Sequence, residues 1–515
     1  MVTHPDLAYR SAQGRLVLLA TILGSGLAQL DGSVVNVALP RIGENLGAGL
    51  TGLQWTINAY TLTLSGLLLL GGSLGDRLGR RRIFLVGVIW FALASAGCAL
   101  APTSGVLIAM RALQGVGAAL LTPGSLAILE AVFRRQDRAP AIGAWTGLGG
   151  VATALGPVLG GVLVGLAPWG WRLVFLINLP LAVVVVVVTR AAVPETRDEE
   201  ATGTLDVPGA LLAAVGLAGV ILALTEGPAK GWSPAVIVSG LAGIVLLVAF
   251  LVNERVRPNP MMPLDLFRSR QFAAANLVTF VVYGSLSGAL FLLPVQLQIV
   301  SGFSPVEAGS ALLPITVVML LLSARMGRLA TRIGPRWPMT VGPIVAAAGM
   351  ALFTRLGPGS TYVEDVLPAV LVFALGLSIT VAPLTATVLA AAPEHQVGVA
   401  SAVNNDVART AGLLAVAVLP ALAGITPAVY ADPAALSSGF HRAVLISAGL
   451  CAAGGVLAAL TIQNDVLRGP AEQPAAAPAS GVIDFAKEDV DLAACRCQAA
   501  LTTPTLPRRP PRDTR

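Results

Sequence analysis

Gly72-Ser-Leu-Gly-Asp-Arg-Leu-Gly-Arg-Arg-Arg-Ile-Phe-Leu-Val-Gly87 returns later in the chain as Gly327-Arg-Leu-Ala-Thr-Arg-Ile-Gly-Pro-Arg-Trp-Pro-Met-Thr-Val-Gly342, without a gap and with seven of sixteen positions identical. Each copy is a basic loop held between two apolar runs. Windows of about 19 residues place such runs near 16–39, 51–72, 83–101, 105–129, 140–166, 171–190, 205–225, 232–252, 271–293, 305–328, 337–354, 363–391, 399–424 and 441–461, fourteen in all. The first copy joins runs 2 and 3, and the second joins runs 10 and 11. Two six-helix halves in one orientation would set the copies six runs apart, but the offset is eight. Two extra spans, 7 and 8, therefore stand between the halves. The stretches 191–204 and 253–270, rich in charge and proline, read as their connectors.

The composition agrees that the solvent is lipid. Of 515 residues, 55% are hydrophobic and 12% charged, and the mean hydropathy is +0.79. Soluble domains carry about 25% charged residues, so this chain has too few to coat a water-facing surface. A spanning helix takes about 20 apolar residues, which leaves room for many spans and excludes a single-anchor receptor, a disordered chain or a soluble enzyme. The first run is too long for a signal-peptide core, holds Asp31 and Asn36, and is not followed by a small-residue cleavage site, so it stays in the mature chain. A net charge of +6 would suggest nucleic acid in a soluble protein; here it reflects the cytoplasmic cations of a polytopic one, and no nucleic-acid partner is expected. Cys98 and Cys451 lie in apolar runs, Cys495 and Cys497 in the polar tail, and His4, His395 and His441 are scattered. Neither a disulfide framework nor a metal site is expected.

Cations give the orientation. With the N-terminus inside, inner segments hold 26 of the 33 basic residues, including Arg77, Arg80, Arg81 and Arg82. Outer segments keep Arg41, Arg172, Lys230, Arg355 and Arg442, and Arg111 and Arg409 fall within spans. Both termini are thus expected in the cytoplasm of a bacterial cell, the spans crossing its inner (plasma) membrane. The expected organisation is an all-α polytopic protein with a six-helix bundle over 1–190, a linker with two extra helices over 191–268, a second six-helix bundle over 269–462 and a disordered cytoplasmic tail over 463–515.

Four motifs carry a resemblance. Span 1 reads Leu30-Asp31-Gly-Ser-Val-Val-Asn36-Val-Ala-Leu-Pro40, and loop 2–3 reads Gly72-Ser-Leu-Gly-Asp76-Arg77-Leu-Gly79-Arg80-Arg81-Arg82. Span 4 holds Arg111-Ala-Leu-Gln114-Gly115-Val-Gly117, and span 5 holds Gly156-Pro157-Val-Leu-Gly160-Gly161. Together, in order, they resemble the fourteen-span drug:proton antiporter branch of the major facilitator superfamily over residues 10–462. The resemblance implies the major facilitator fold and an exporter working by alternating access.

In the loop, glycines serve tight turns and arginines hold the segment in the cytoplasm. The resemblance implies that Asp76 latches the two halves in the outward-facing state, by accepting hydrogen bonds from a neighbouring helix N-terminus. The second copy has Thr331 at that place, so only the first loop can latch in this way. Pro157 kinks span 5, and Gly156, Gly160 and Gly161 admit another helix closely. Each motif also has a plainer reading, as a basic cluster that orients the chain or as ordinary packing of small residues.

A charge at mid-membrane costs at least about 2.5–3.5 kcal/mol, so charges within spans stand out. At about 1.5 Å per residue, Asp31 and Arg111 lie at matching depth below the outer ends of spans 1 and 4. An ion pair released by protonating Asp31 is expected, and a static pair that fixes packing is the alternative. Asp406 and Arg409 in span 13 are expected to pair on one helix face, with a second proton or cation site as the other reading. Asp406 departs from the branch's pattern, which has a small uncharged residue there. Substrate-cavity candidates are Asn36, Trp55, Asn58, Tyr60, Gln114, Trp145, Tyr283, Phe291, Gln296 and Asn404.

The expected function is export of an amphipathic drug, antibiotic or metabolite in exchange for protons, by a protein working as a monomer, with the proton gradient in place of any cofactor. The only lysines are Lys230 and Lys487, so no phosphate-binding loop of the form Gly-x-x-x-x-Gly-Lys-Ser/Thr exists to drive transport by ATP. A uniporter or importer of a small organic solute on the same fold, or a non-transporting membrane sensor, remain the other readings.

Overall fold

The computed structural model describes residues 7–198, 205–258, 260–393 and 396–467. His395, the polar tail beyond residue 467 and its Cys495 and Cys497 lie outside the described residues. Fourteen helices are long and apolar enough to cross a membrane. Spans 1 to 6 are Ala12–Leu46, Leu50–Leu78, Arg80–Ala99, Ser104–Val132, Arg135–Gly165 and Trp171–Ala192. Spans 7 and 8 are Val207–Lys230 and Pro234–Val256. Spans 9 to 14 are Arg270–Val300, Pro305–Ile333, Arg336–Arg355, Tyr362–Ala390, Val397–Leu422 and Pro433–Thr461.

The helix starts follow local chemistry. Ser11, Thr103, Asp206, Ser233, Ser269 and Ser304 each accept a hydrogen bond from a backbone N–H of the first turn that has no intrahelical partner. Span 6 is interrupted: one helix ends at Leu176 and the next starts at Asn178, two residues before Pro180, which cannot donate to a carbonyl of the preceding turn. Loop 2–3 turns at Gly79, whose φ of 113° is open to glycine alone, and the Glu195 carboxylate stands 2.6 Å from where a Cβ would be. The connector after span 6 straps this loop. Arg80 N–H donates to Thr196 O at 2.9 Å, Asp198 N–H to Asp76 O at 2.9 Å and Arg81 N–H to Glu195 Oε1 at 3.1 Å.

The first bundle has its own core, with Val17, Phe84, Phe91, Phe133 and Val185. A second cluster runs without a break from Val34 and Leu39 of span 1, through Trp171, to Phe291 and Phe440 of the second bundle. The bundles are joined there, at the end of the molecule where spans 1 and 5 finish. Gln298 Nε2 donates to Val37 O at 3.0 Å, and Gln54 Nε2 to Val416 O at 2.7 Å. An added Cβ at Gly161 would stand 2.4 Å from Pro305 O, and one at Gly309 would stand 2.1 Å from Pro157 O, so the backbones of spans 5 and 10 touch.

The extra hairpin is asymmetric. Span 7 packs against both bundles in a small cluster of Leu62 from span 2, Ile221, and Leu413 and Ala417 from span 13. Ala214 of span 7 meets Gly66, and Glu226 accepts from the Trp55 indole at 3.0 Å. Span 8 has little of its surface buried and leans on span 7. At their shared end Asp206 caps span 7, accepts from Asn253 at 3.0 Å and pairs with Arg257 at 3.0 Å.

Candidate functional site

Five spans of the first bundle converge on Asp31, which is fully buried. Arg111 Nη1 of span 4 donates to Asp31 Oδ2 in a short charged contact. Gln114 Nε2, one helical turn on, donates to Asp31 Oδ1 at 2.8 Å, and Asn178 Nδ2 of span 6 donates to the same oxygen at 3.1 Å. Ser95 of span 3 accepts from Gln114 at 2.7 Å and from Asn178 at 3.3 Å. Arg111 is held in turn: its Nε donates to Thr56 O at 3.0 Å, and its Nη1 also donates to Gln114 Oε1 at 2.7 Å. The Tyr60 ring stacks on the guanidinium at 4.3 Å while its hydroxyl donates to Ala28 O at 3.0 Å.

Physically this is an ion pair set in a hydrogen-bonded network. A buried ion pair is tolerable in low dielectric only when further hydrogen bonds satisfy the remaining lone pairs and N–H groups. Both Asp31 oxygens have partners, as do Nε and Nη1 of Arg111, while Asn178 Oδ1 is buried without one. The sequence reading places Asp31 opposite Arg111; it misses Ser95, Asn178 and the Thr56 carbonyl. The signal was there, since Asn178 sits beside the helix-breaking Pro180 and Ser95 lies in an otherwise apolar span.

Beside this network, between the bundles, lies a cavity of about 370 Å³. Span 1 contributes Gly32 and Asn36, span 2 contributes Asn58 and Thr61, span 9 contributes Tyr283, Ser287 and Phe291, and span 13 contributes Asn405, Arg409 and Gly412. Asp31 is thus one residue behind the cavity wall at Gly32. The volume falls in the range of small-molecule sites, about 300–1,000 Å³.

Of the cavity candidates, Asn36, Asn58, Tyr283 and Phe291 line it, and the other six do not. Trp55 turns to Glu226 on span 7. Tyr60 and Gln114 belong to the Asp31 network. Trp145 packs on the core of the first bundle. Gln296 donates to Leu356 O and Ser437 Oγ, and Asn404 donates to Asn276 and Thr279 within the second bundle. Polarity inside a span marks a constraint, but which neighbour meets it depends on helix rotation.

One other expectation is corrected. Asp406 and Arg409 form no ion pair within 4.0 Å among the described residues; Asp406 Oδ1 is buried without a hydrogen-bond partner, while Arg409 faces the cavity. The spacing permits a pair, but Arg409 turns to the cavity lining and Asp406 lies outside it. In the state described, the Asp76 carboxylate binds Arg80 of its own loop at 2.8 Å. Arg77 lies in the last turn of span 2, and Gly72 faces Pro123 of span 4. In span 5, Gly156 and Gly160 face Ser33 and Val34 of span 1, and Gly161 faces span 10.

Known proteins fit this architecture. A family model described as Major Facilitator Superfamily matches residues 21–417. The puromycin resistance protein of Streptomyces alboniger is 37% identical over 88% of this chain and 91% of its own length. The tetracenomycin C resistance and export protein of Streptomyces glaucescens is 35% identical over 79% of this chain and 75% of its own. The methylenomycin A resistance protein of Streptomyces coelicolor is 36% identical over 79% and 84%. Among solved structures, an inward-facing bacterial homologue of the human lysosomal transporter Spinster covers 88% of this chain and 97% of its own, with a TM-score of 0.64 at 18% identity. A D-xylose–proton symporter covers 88% and 99% with a TM-score of 0.62 at 14% identity; both show likeness of fold alone. With fourteen spans, a cavity between two bundles and these relatives, the chain belongs to the major facilitator superfamily and is a multi-span membrane transporter, not an enzyme.

Proposed function

We propose that this protein exports an amphipathic organic compound, a drug, antibiotic or metabolite, across the bacterial plasma membrane in exchange for protons. The observation that carries the reading is the position of the Asp31–Arg111 pair, buried one residue behind the wall of the cavity. Antiport needs a group whose charge state alternates as the cavity faces each side. A carboxylate neutralised by arginine is such a group: taking up a proton cancels the attraction and frees Arg111, Gln114 and Asn178 to rearrange. The similar resistance and export proteins point to the same class of substrate.

The energetics suffice. A proton entering down 100 mV releases about 2.3 kcal/mol, and each pH unit adds about 1.4 kcal/mol. One proton can therefore sustain a substrate gradient well above about tenfold.

With both termini in the cytoplasm, as the cations imply, the joined end of the bundles is the outer one. The state described is then closed to the outside, with Asp76 released from any latch and bound to Arg80. Alternating access opens the contact of Gly161 with Pro305 and of Gly309 with Pro157, while the Asp76 loop docks on the second bundle. The regions 1–190 and 269–462 act as the rocking bundles, with 191–268 as the linker between them.

The test is accumulation in inverted vesicles from a drug-sensitive host, with a proton gradient imposed and then collapsed. Uncoupler-sensitive accumulation, lost in Asp31→Asn, is expected. Uptake that only equilibrates the compound, at the same rate before and after the gradient collapses, would sink antiport and leave a uniporter.

A further inference from the structure

Among the described residues, Arg409 is the one charged side chain that lines the cavity, and no carboxylate does. Arg111 is neutralised by Asp31 behind the wall, but Arg409 has neither an ion-pair nor a hydrogen-bond partner among the described residues. Asp406, one turn earlier on span 13, lies outside the lining and interacts with Arg409 electrostatically, beyond ion-pair distance. Across the cavity, Asn58 of span 2 is 1% exposed, and both its amide nitrogen and its amide oxygen are buried without a partner. A buried amide without partners is costly unless a ligand or water meets it, and this one lines the same space as an unpaired guanidinium. Tyr283 and Ser287 add hydroxyl groups, and Leu290 and Phe291 supply an apolar wall.

Resting on the reading of this cavity as the transport site, we propose that it selects amphipathic organic acids. The carboxylate or ionised phenol of the substrate docks on Arg409, Asn58 donates a second hydrogen bond, and the ring system lies on Leu290 and Phe291. A planar guanidinium suits a carboxylate because it donates two parallel hydrogen bonds, and charged hydrogen bonds are the strong ones. A cationic compound of equal size would meet Arg409 with no acid in the wall to offset it.

The test uses the full chain in lipid nanodiscs at pH 7 and three fluorescent probes on one ring system: 9-anthracenecarboxylate, its methyl ester and 9-(aminomethyl)anthracene. The carboxylate is expected to bind at least about tenfold tighter than the ammonium, the effect of one charged hydrogen bond. Arg409→Gln erases that margin while leaving the ester's affinity within about twofold, Arg409→Lys keeps part of it, and Asp406→Asn keeps or widens it. Ammonium binding equal to or tighter than carboxylate binding in the unsubstituted protein overturns the proposal, as does a margin that survives Arg409→Gln or collapses in Asp406→Asn. Failure here leaves proton antiport standing, and failure of the vesicle experiment leaves this margin untouched.

Discussion

Asp31 is where a static packing role and a coupling role can be separated. Its carboxylate accepts from Arg111, Gln114 and Asn178, so removing it leaves a buried guanidinium without its counter-charge. Breaking a buried pair from one side costs about 3–5 kcal/mol. Asp31→Ala should therefore lower the thermal unfolding midpoint of the purified protein sharply. The double substitution Asp31→Asn with Arg111→Gln removes both charges and keeps most of the shape, so its midpoint should return to near that of the unsubstituted chain. If the pair only fixes packing, transport returns with stability; if Asp31 carries the proton, the double variant is stable and stays uncoupled in vesicles.

Spans 5 and 10 meet backbone to backbone, and span 7 lies on another seam, against spans 2 and 13, with span 8 leaning on span 7. A side chain longer than hydrogen at Gly309 would meet Pro157 O at 2.1 Å. Gly309→Leu should hold the outer end open. Asn36→Cys, which reports from inside the cavity, should then be labelled from the outside by a membrane-impermeant maleimide several-fold faster than in the parent. Gly143→Leu, with no atom within 4 Å of its Cβ position, is the control and should leave labelling unchanged. Equal labelling in Gly309→Leu and Gly143→Leu would show that this contact does not gate the cavity. The other seam is clasped instead, by Leu62, Ile221, Leu413 and Ala417 and by the Trp55–Glu226 bond, so span 7 ties the linker to both bundles.

For the molecule as a whole, the proposed orientation, with both termini in the cytoplasm, gives each loop a side. An alkaline phosphatase reporter joined after Gly231 should be active, because it requires export. A green fluorescent protein joined after Leu467 should fluoresce, because it folds in the cytoplasm. The reverse pattern would invert the orientation and make the joined end of the bundles the cytoplasmic one.

Span number and the pairing of Asp31 with Arg111 were legible in the chain because each rests on one-dimensional quantities. Lipid sets the length of an apolar run, the repeated basic loop sets the offset of eight, and rise per residue sets the depth of a charge. The lining of the cavity was only partly legible. Asn58 and Trp55 are three residues apart on span 2, yet one faces the cavity and the other span 7. Arg409 and Asp406 divide in the same way on span 13. Rotation of a helix about its axis is decided by the neighbours it packs against, and in a span that is apolar on nearly every face the sequence carries little record of it. Fourteen spans and a charge pair at one depth follow from the order of residues along the chain; which polar side chains share a cavity follows only from contacts between helices far apart in that order.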